Sequence, residues 1–229
     1  MTDVPVIVIS SPQSQSGKTT LALNLAAALW SDNYQVEILS PDKQSAAIFL
    51  QKRQELNEKH NLNLYMPTLL NKLSDSLSSF SGKKVIIADV PSTDNLSYQE
   101  IFNQAHTLIT IVNRPQDIMW KPDDTYINLV WNAKKDIAAR GIKYLNWITI
   151  ANLYSSAQTD WSNKLEETAR RYGFRISPAL HFREAYQHIN EGFCTADMVK
   201  NHQFLPMQLS DVYARREILQ LADILWRHK

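Results

Sequence analysis

Residues 6–20 read Val6-Ile7-Val8-Ile9-Ser10-Ser11-Pro12-Gln13-Ser14-Gln15-Ser16-Gly17-Lys18-Thr19-Thr20. A short apolar, strand-forming run leads into a loop that ends Gly17-Lys18-Thr19-Thr20, and Leu21, Leu25 and Leu29 then recur at helical spacing. This is the strand–loop–helix setting of a phosphate-binding loop, whose pattern is G-x-x-x-x-G-K-[ST]. The end of the pattern is intact, while its first glycine position holds Pro12. The end carries the chemistry. Glycine at 17 lets the backbone approach phosphate oxygens, and the helix start adds amide donors and the positive end of its dipole. Lys18 is placed to reach the β- and γ-phosphates, and the Thr19 hydroxyl to ligate Mg²⁺. Ser and Thr also cap helices without any ligand. It is the position after the first strand that favours a phosphate.

Outward from this loop, four more continuously apolar runs read as strands: Gln35–Leu39, Lys84–Ala88, Thr107–Val112 and Asn146–Ala151. Their lack of alternation points to parallel strands buried on both faces. Helical patterns lie between and after them, at Thr20–Ser31, Ala46–His60, Asp123–Arg140, Thr159–Tyr172 and Asp211–Trp226. In the last of these, Leu219, Leu221, Leu225 and Trp226 supply a packing face. Strands separated by helices imply right-handed crossovers and a doubly wound, mainly parallel α/β sheet. The serine-rich stretch Ser74–Ser81 reads as a helix end plus loop, so residues 1–229 are expected to form one domain.

Composition narrows the functional classes. Lys and Arg number 24 against 23 Asp and Glu, a net charge of +1, so any nucleic-acid contact must come from a local patch. The single cysteine, Cys194, cannot form an intramolecular disulfide, which fits a reducing compartment. The apolar run near the start is too short for a signal peptide or a membrane span. A soluble, cytoplasmic protein is the expectation. Glycine occurs only 5 times, so a nucleotide site must work with few. His181, His188 and His202 show no metal-ligand spacing with Cys194, and no structural zinc is expected.

With these segments in place, the chain resembles the ParA/MinD ATPases, whose deviant phosphate loop reads K-G-G-x-G-K-[ST]-T. Within them it is most similar to the MipZ proteins. The similarity runs in order through the loop, Ala88-Asp89-Val90-Pro91-Ser92-Thr93-Asp94, Tyr126-Ile127-Asn128-Leu129-Val130-Trp131-Asn132-Ala133 and Asn146-Trp147-Ile148-Thr149-Ile150-Ala151-Asn152. It continues through Arg170-Arg171-Tyr172-Gly173-Phe174-Arg175, Arg183-Glu184-Ala185-Tyr186 and Val212-Tyr213-Ala214-Arg215-Arg216-Glu217. The resemblance implies that Gln13, Ser14, Gln15, Ser16, Gly17, Lys18, Thr19 and Thr20 form the phosphate cradle for ATP. Thr19 and Asp89 would hold Mg²⁺, and Asp42 would orient the attacking water, with Lys18 and Asp42 as the catalytic pair. Asn152 would read the adenine edge, an amide offering both donor and acceptor. Without the resemblance, Asp42 after Pro41, Asp89 at a strand end and Asn152 are equally ordinary cap or turn residues.

The departures from the family fall on the loop itself. The signature lysine, which in the family crosses an ATP-sandwiched dimer interface, aligns with Gln13. The two glycines after it become Ser14 and Gln15, and the first aspartate of the D-x-D pair becomes Ser40. Loss of a charge-assisted bond weakens stabilisation across the interface. A side chain at any left-handed backbone position costs about 1 kcal/mol or more, so a remodelled loop is one expectation.

By resemblance, the function is that of an ATP-switched regulator of division-site placement. It would be a homodimer with ATP, act on FtsZ-like protein, be recruited by a ParB-like protein, and hydrolyse ATP slowly. Non-specific DNA binding, and with it nucleoid association, would run through Lys164, Arg170, Arg171 and Arg175. Glu166 and Glu167 interrupt that run, and a solvated helix face is an equal reading. Two alternatives stand beside it: a catalytically silent binding module with the same fold, and a chromosome or plasmid partitioning ATPase.

Overall fold

The computed structural model describes residues 4–41, 43–76, 83–92, 98–141, 144–153, 160–198 and 207–226. The strands are β1 (Val6–Ser10), β2 (Tyr34–Leu39), β3 (Thr68–Leu70), β4 (Lys83–Asp89), β5 (Thr107–Val112), β6 (Asn146–Ala151) and β7 (Arg175–Ile176). They form a 7-stranded sheet in the order β3-β2-β4-β1-β5-β6-β7. Every pairing is parallel. The five strands read from the sequence are all present, and the sheet is parallel throughout. Two short edge strands, β3 and β7, escaped that reading, because two or three residues carry no usable periodicity.

Alternation within each strand sends side chains to two separate cores. Val6 and Val8 of β1, with Ile86 and Ala88 of β4, face a layer built from α3 (Gln99–Asn103), α4 (Thr125–Ala139) and α5 (Asp160–Tyr172). Ile7, Ile9, Val85 and Ile87 face the opposite layer, made by α1 (Lys18–Ser31), α2 (Lys43–His60), α6 (Thr195–Met198) and α7 (Leu209–Trp226). Helices on both faces explain why the strands are continuously apolar.

Helix α1 is buried on every side from Leu21 to Leu29, being wedged between the sheet and α7. In α7 the buried face is Ile218, Leu221, Ala222 and Leu225, with Leu219 partly buried; the Trp226 side chain lies outside the described residues. The serine-rich stretch opens with a 3-10 turn at Leu73–Asp75, and residues 77–82 are outside the description. None of the described helices is long and apolar enough to cross a membrane.

β1 is central, with β4 on one side and β5 on the other. Ligands of open parallel sheets bind beyond the carboxyl ends of the strands, where the winding reverses. Ser10, Asp89 and Asn152 stand at or just past the ends of β1, β4 and β6. Three residues far apart in sequence thus meet at one edge.

Candidate nucleotide site

The loop from Ser11 to Gly17 wraps the start of α1. Gly17 has φ +90, and a Cβ there would sit 2.8 Å from Asn152 Nδ2, so both backbone and space demand glycine. Of the two residues that replace loop glycines, only Gln15 adopts a left-handed conformation, at φ 54. The loop therefore keeps a left-handed turn and places the strain at Gln15; Ser14 is not among the positive-φ residues.

Lys18 is buried, and its Nζ donates to the Gln13 carbonyl at 3.2 Å, to Ser16 Oγ at 3.4 Å and to Ser92 Oγ. Burial lowers its pKa below the usual lysine value, and nearby Asp89 opposes that shift. Thr19 Oγ1 donates to Asp89 Oδ2 at 2.6 Å. These two oxygens lie on a cavity of about 530 Å³ that is also lined by Gly17, Lys18, Ser45 and Ser92. A hydroxyl and a buried carboxylate, both hard oxygen ligands on a cavity shared with Lys18, fit Mg²⁺.

A second cavity, of about 260 Å³, adjoins the first through Gln15, Gly17 and Thr20. Its walls include Asn152, Leu153, Leu180, Phe182 and Tyr186. Asn152 is held in place, its backbone N–H donating to Val112 O at 2.8 Å and its Nδ2 to Ser16 O at 2.8 Å. One N–H of the amide is thus engaged by the phosphate loop, which leaves the second N–H and Oδ1 to serve a ligand. The amide thus keeps a donor and an acceptor, the pair that the expected reading of an adenine edge requires.

One part of the wall went unread in the sequence. Glu217 of α7 accepts from Arg183 Nη2 at 2.6 Å and Nε at 2.9 Å, and lies 2.8 Å from His181 Nδ1 and 3.0 Å from the Tyr186 hydroxyl. Arg183 and Tyr186 line the second cavity, so this carboxylate orients its outer wall. Burial and the neighbouring Glu217 charge push the Tyr186 pKa well above the ordinary tyrosine value, so its hydroxyl keeps its proton. The signal was present in the segments Arg183-Glu184-Ala185-Tyr186 and Arg215-Arg216-Glu217, but nothing in their spacing says that they touch.

The remaining expected residues are placed as follows. Gln13 is exposed and does not line the phosphate cavity; its backbone carbonyl faces Lys18. Asp42 lies outside the described residues. Among the basic residues, Lys164, Arg170 and Arg171 are exposed on or at the end of α5, with Arg170 paired to Glu166 at 3.4 Å and Arg171 over the Tyr172 ring. Arg175 departs from that group. Its guanidinium donates to Asn146 Oδ1 at 2.6 and 3.2 Å and locks β7 to β6.

A loop of this kind beyond the first strand of a parallel sheet, with a lysine and a threonine–aspartate pair on one cavity, defines a P-loop NTPase of the MinD/ParA type. The profile of the ATPase MipZ family matches residues 5–226, and the chain belongs to that family. Solved structures agree on the fold. The MinD cell division protein of Aquifex aeolicus is similar with a TM-score of 0.63, at 17% identity, over 99% of this chain and 98% of that one. MinD of Pyrococcus horikoshii, solved with Mg-ADP, gives 0.60 at 12% identity over 98% and 96%. A plasmid partition protein of Borrelia burgdorferi, solved with AMPPNP, gives 0.59 at 13% identity over 96% and 98%. A local match to phosphoglycerate mutase-like protein 2 of Arabidopsis thaliana has 28% identity over 83 residues and spans only 22% of that protein.

Proposed function

We propose that the protein is an ATP-dependent switch of the MipZ kind, which takes up ATP with Mg²⁺ at the loop Gln13–Thr20. The observation that carries this reading is the joining of the cavity lined by Lys18, Thr19 and Asp89 to a largely apolar one at Gln15, Gly17 and Thr20. Lys18 would hold the terminal phosphates, and Asn152 Oδ1 would accept from the adenine amine. Thr19 and Asp89 would hold Mg²⁺, which when bound neutralises charge on the β- and γ-phosphates. Asp42 would orient the attacking water. By family membership, ATP would drive homodimerisation with Gln13 at the interface, the dimer would act on an FtsZ-like partner, and a ParB-like protein would recruit the chain. Lys164, Arg170 and Arg171 would offer DNA a modest cationic face, weakened by the Arg170–Glu166 pair.

Isothermal calorimetry with ATP, with and without Mg²⁺, tests the reading. Lys18→Ala should abolish measurable binding without lowering the unfolding midpoint, since it removes a buried cation whose burial is itself unfavourable. Equal binding by both proteins, or by neither, would remove the nucleotide site. A second reading, a binding module with no turnover, is favoured by Gln13, an uncharged residue at the position of the signature lysine. Single-turnover phosphate release with excess protein separates the two.

A further inference from the structure

We propose that Ser92 is a positioning residue whose hydroxyl latches Lys18 and must let go before a terminal phosphate can bind. Ser92 lies three residues beyond Asp89, just past the end of β4, and lines the phosphate cavity. Its hydroxyl donates to the Gln13 carbonyl and accepts from Lys18 Nζ, while Lys18 also donates to that same carbonyl. Three groups from the loop, α1 and the segment after β4 thus close a ring around the lysine. The Ser92 oxygen occupies the acceptor position that a phosphate oxygen would need on the ammonium.

The contact has a consequence for the chemistry. Lys18 is mostly withdrawn from water, so the number of acceptors it can reach is small. An oxygen already on Nζ therefore competes directly with an incoming phosphate rather than adding to it. The latch also has a fixed hinge. Val90 N–H donates to Ile9 O at 3.0 Å, and Asp89 is tied to Thr19, so the strand end cannot drift while Pro91 and Ser92 release.

This inference deepens the nucleotide reading and rests on it for its binding arm, but not for its first arm. That first measurement uses ligand-free protein: the rate of Lys18 acetylation by a small anhydride, followed by mass spectrometry, in wild type, Ser92→Ala and Ser92→Thr. Ser92→Ala should label about fivefold faster, the equivalent of one net hydrogen bond, and Ser92→Thr, which keeps the hydroxyl, should label like wild type. Equal labelling of wild type and Ser92→Ala overturns the latch whether or not nucleotide binds. The second measurement is calorimetry with ATP and ADP. Ser92→Ala should bind ATP about fivefold more tightly, with a smaller gain for ADP, which lacks the terminal phosphate. A loss of ATP affinity, or equal gains for both nucleotides, would overturn the proposal. Failure of wild type and Ser92→Ala alike to bind either nucleotide, with the labelling difference intact, would count against the nucleotide site and leave the latch standing.

Discussion

On the face of the sheet covered by α3, α4 and α5, Trp120 packs against Trp147 at 5.8 Å, Tyr172 at 5.7 Å and Phe174 at 5.8 Å between ring centroids. Polar atoms in that cluster are few: Trp147 Nε1 donates to Thr110 Oγ1 at 2.8 Å and Tyr172 to the Trp120 carbonyl at 2.6 Å, while Trp120 Nε1 is buried without a hydrogen-bond partner. The face covered by α1, α2, α6 and α7 is built differently. There Arg53, only 1% exposed, makes a two-point contact with Asp197 at 2.6 and 2.9 Å and donates to the Gly192 carbonyl at 2.9 Å. Asp197 also accepts from Cys194 N–H at 2.7 Å, and Asn24 in the middle of α1 accepts from Thr195 N–H at 2.8 Å. The aromatic side is held by contact area, the other by directional bonds whose partners lie up to 171 residues apart. Helix α1 and the turn around Tyr186 and Ile189, which wall the second cavity, stand on the bonded side. Directional bonds have preferred geometries, so that side is suited to hold a cavity wall in place.

The contrast breaks most sharply at Asp197. Asp197→Ala should cost about 3–5 kcal/mol, because it leaves the Arg53 guanidinium buried without its counter-charge. Replacing both partners, Arg53→Met with Asp197→Leu, should recover most of that loss. Urea unfolding of the three proteins checks both statements; a double variant no better than the single one would mean that the bond does more than neutralise charge. On the aromatic side Trp120→Ala should also cost about 3–5 kcal/mol, but no second substitution should restore it, since what is lost is volume.

Smaller effects sharpen the same contrast at the loop. Gln13→Lys should strengthen ATP-dependent dimers by about tenfold, by restoring a charge-assisted bond, while leaving the unfolding midpoint where it is. Sedimentation with ATP reads the first and thermal unfolding the second. Unchanged or weaker dimers would mean that residue 13 does not meet the partner's nucleotide. The smallest effect is at Gln15, where φ is 54. Gln15→Gly relieves a left-handed side-chain conformation but loosens the unfolded chain, so a net gain of roughly 0–1 kcal/mol is expected. A loss would show that the Gln15 side chain makes a contribution of its own.

The expectation of a remodelled loop met a partial answer. One glycine replacement, Gln15, keeps the left-handed turn, and Ser14 sits where none is required. Of the expected cationic residues, Arg175 also ties β7 to β6 through Asn146 while keeping its charge. Asn152 was singled out only through the resemblance, and one N–H of its amide serves Ser16.

By itself the sequence determined the doubly wound parallel sheet, because continuous apolar runs separated by helical spacings leave few other packings. It also marked Gly17, Lys18 and Thr19, whose spacing is local and therefore visible along the chain. Tertiary structure alone decided that Thr19 meets Asp89, that Lys18 meets Ser92, and that Glu217 draws together Arg183, His181 and Tyr186. Those contacts join residues 31 to 74 positions apart. No periodicity spans such distances; only strand order and the crossing of helices over the sheet bring the side chains together.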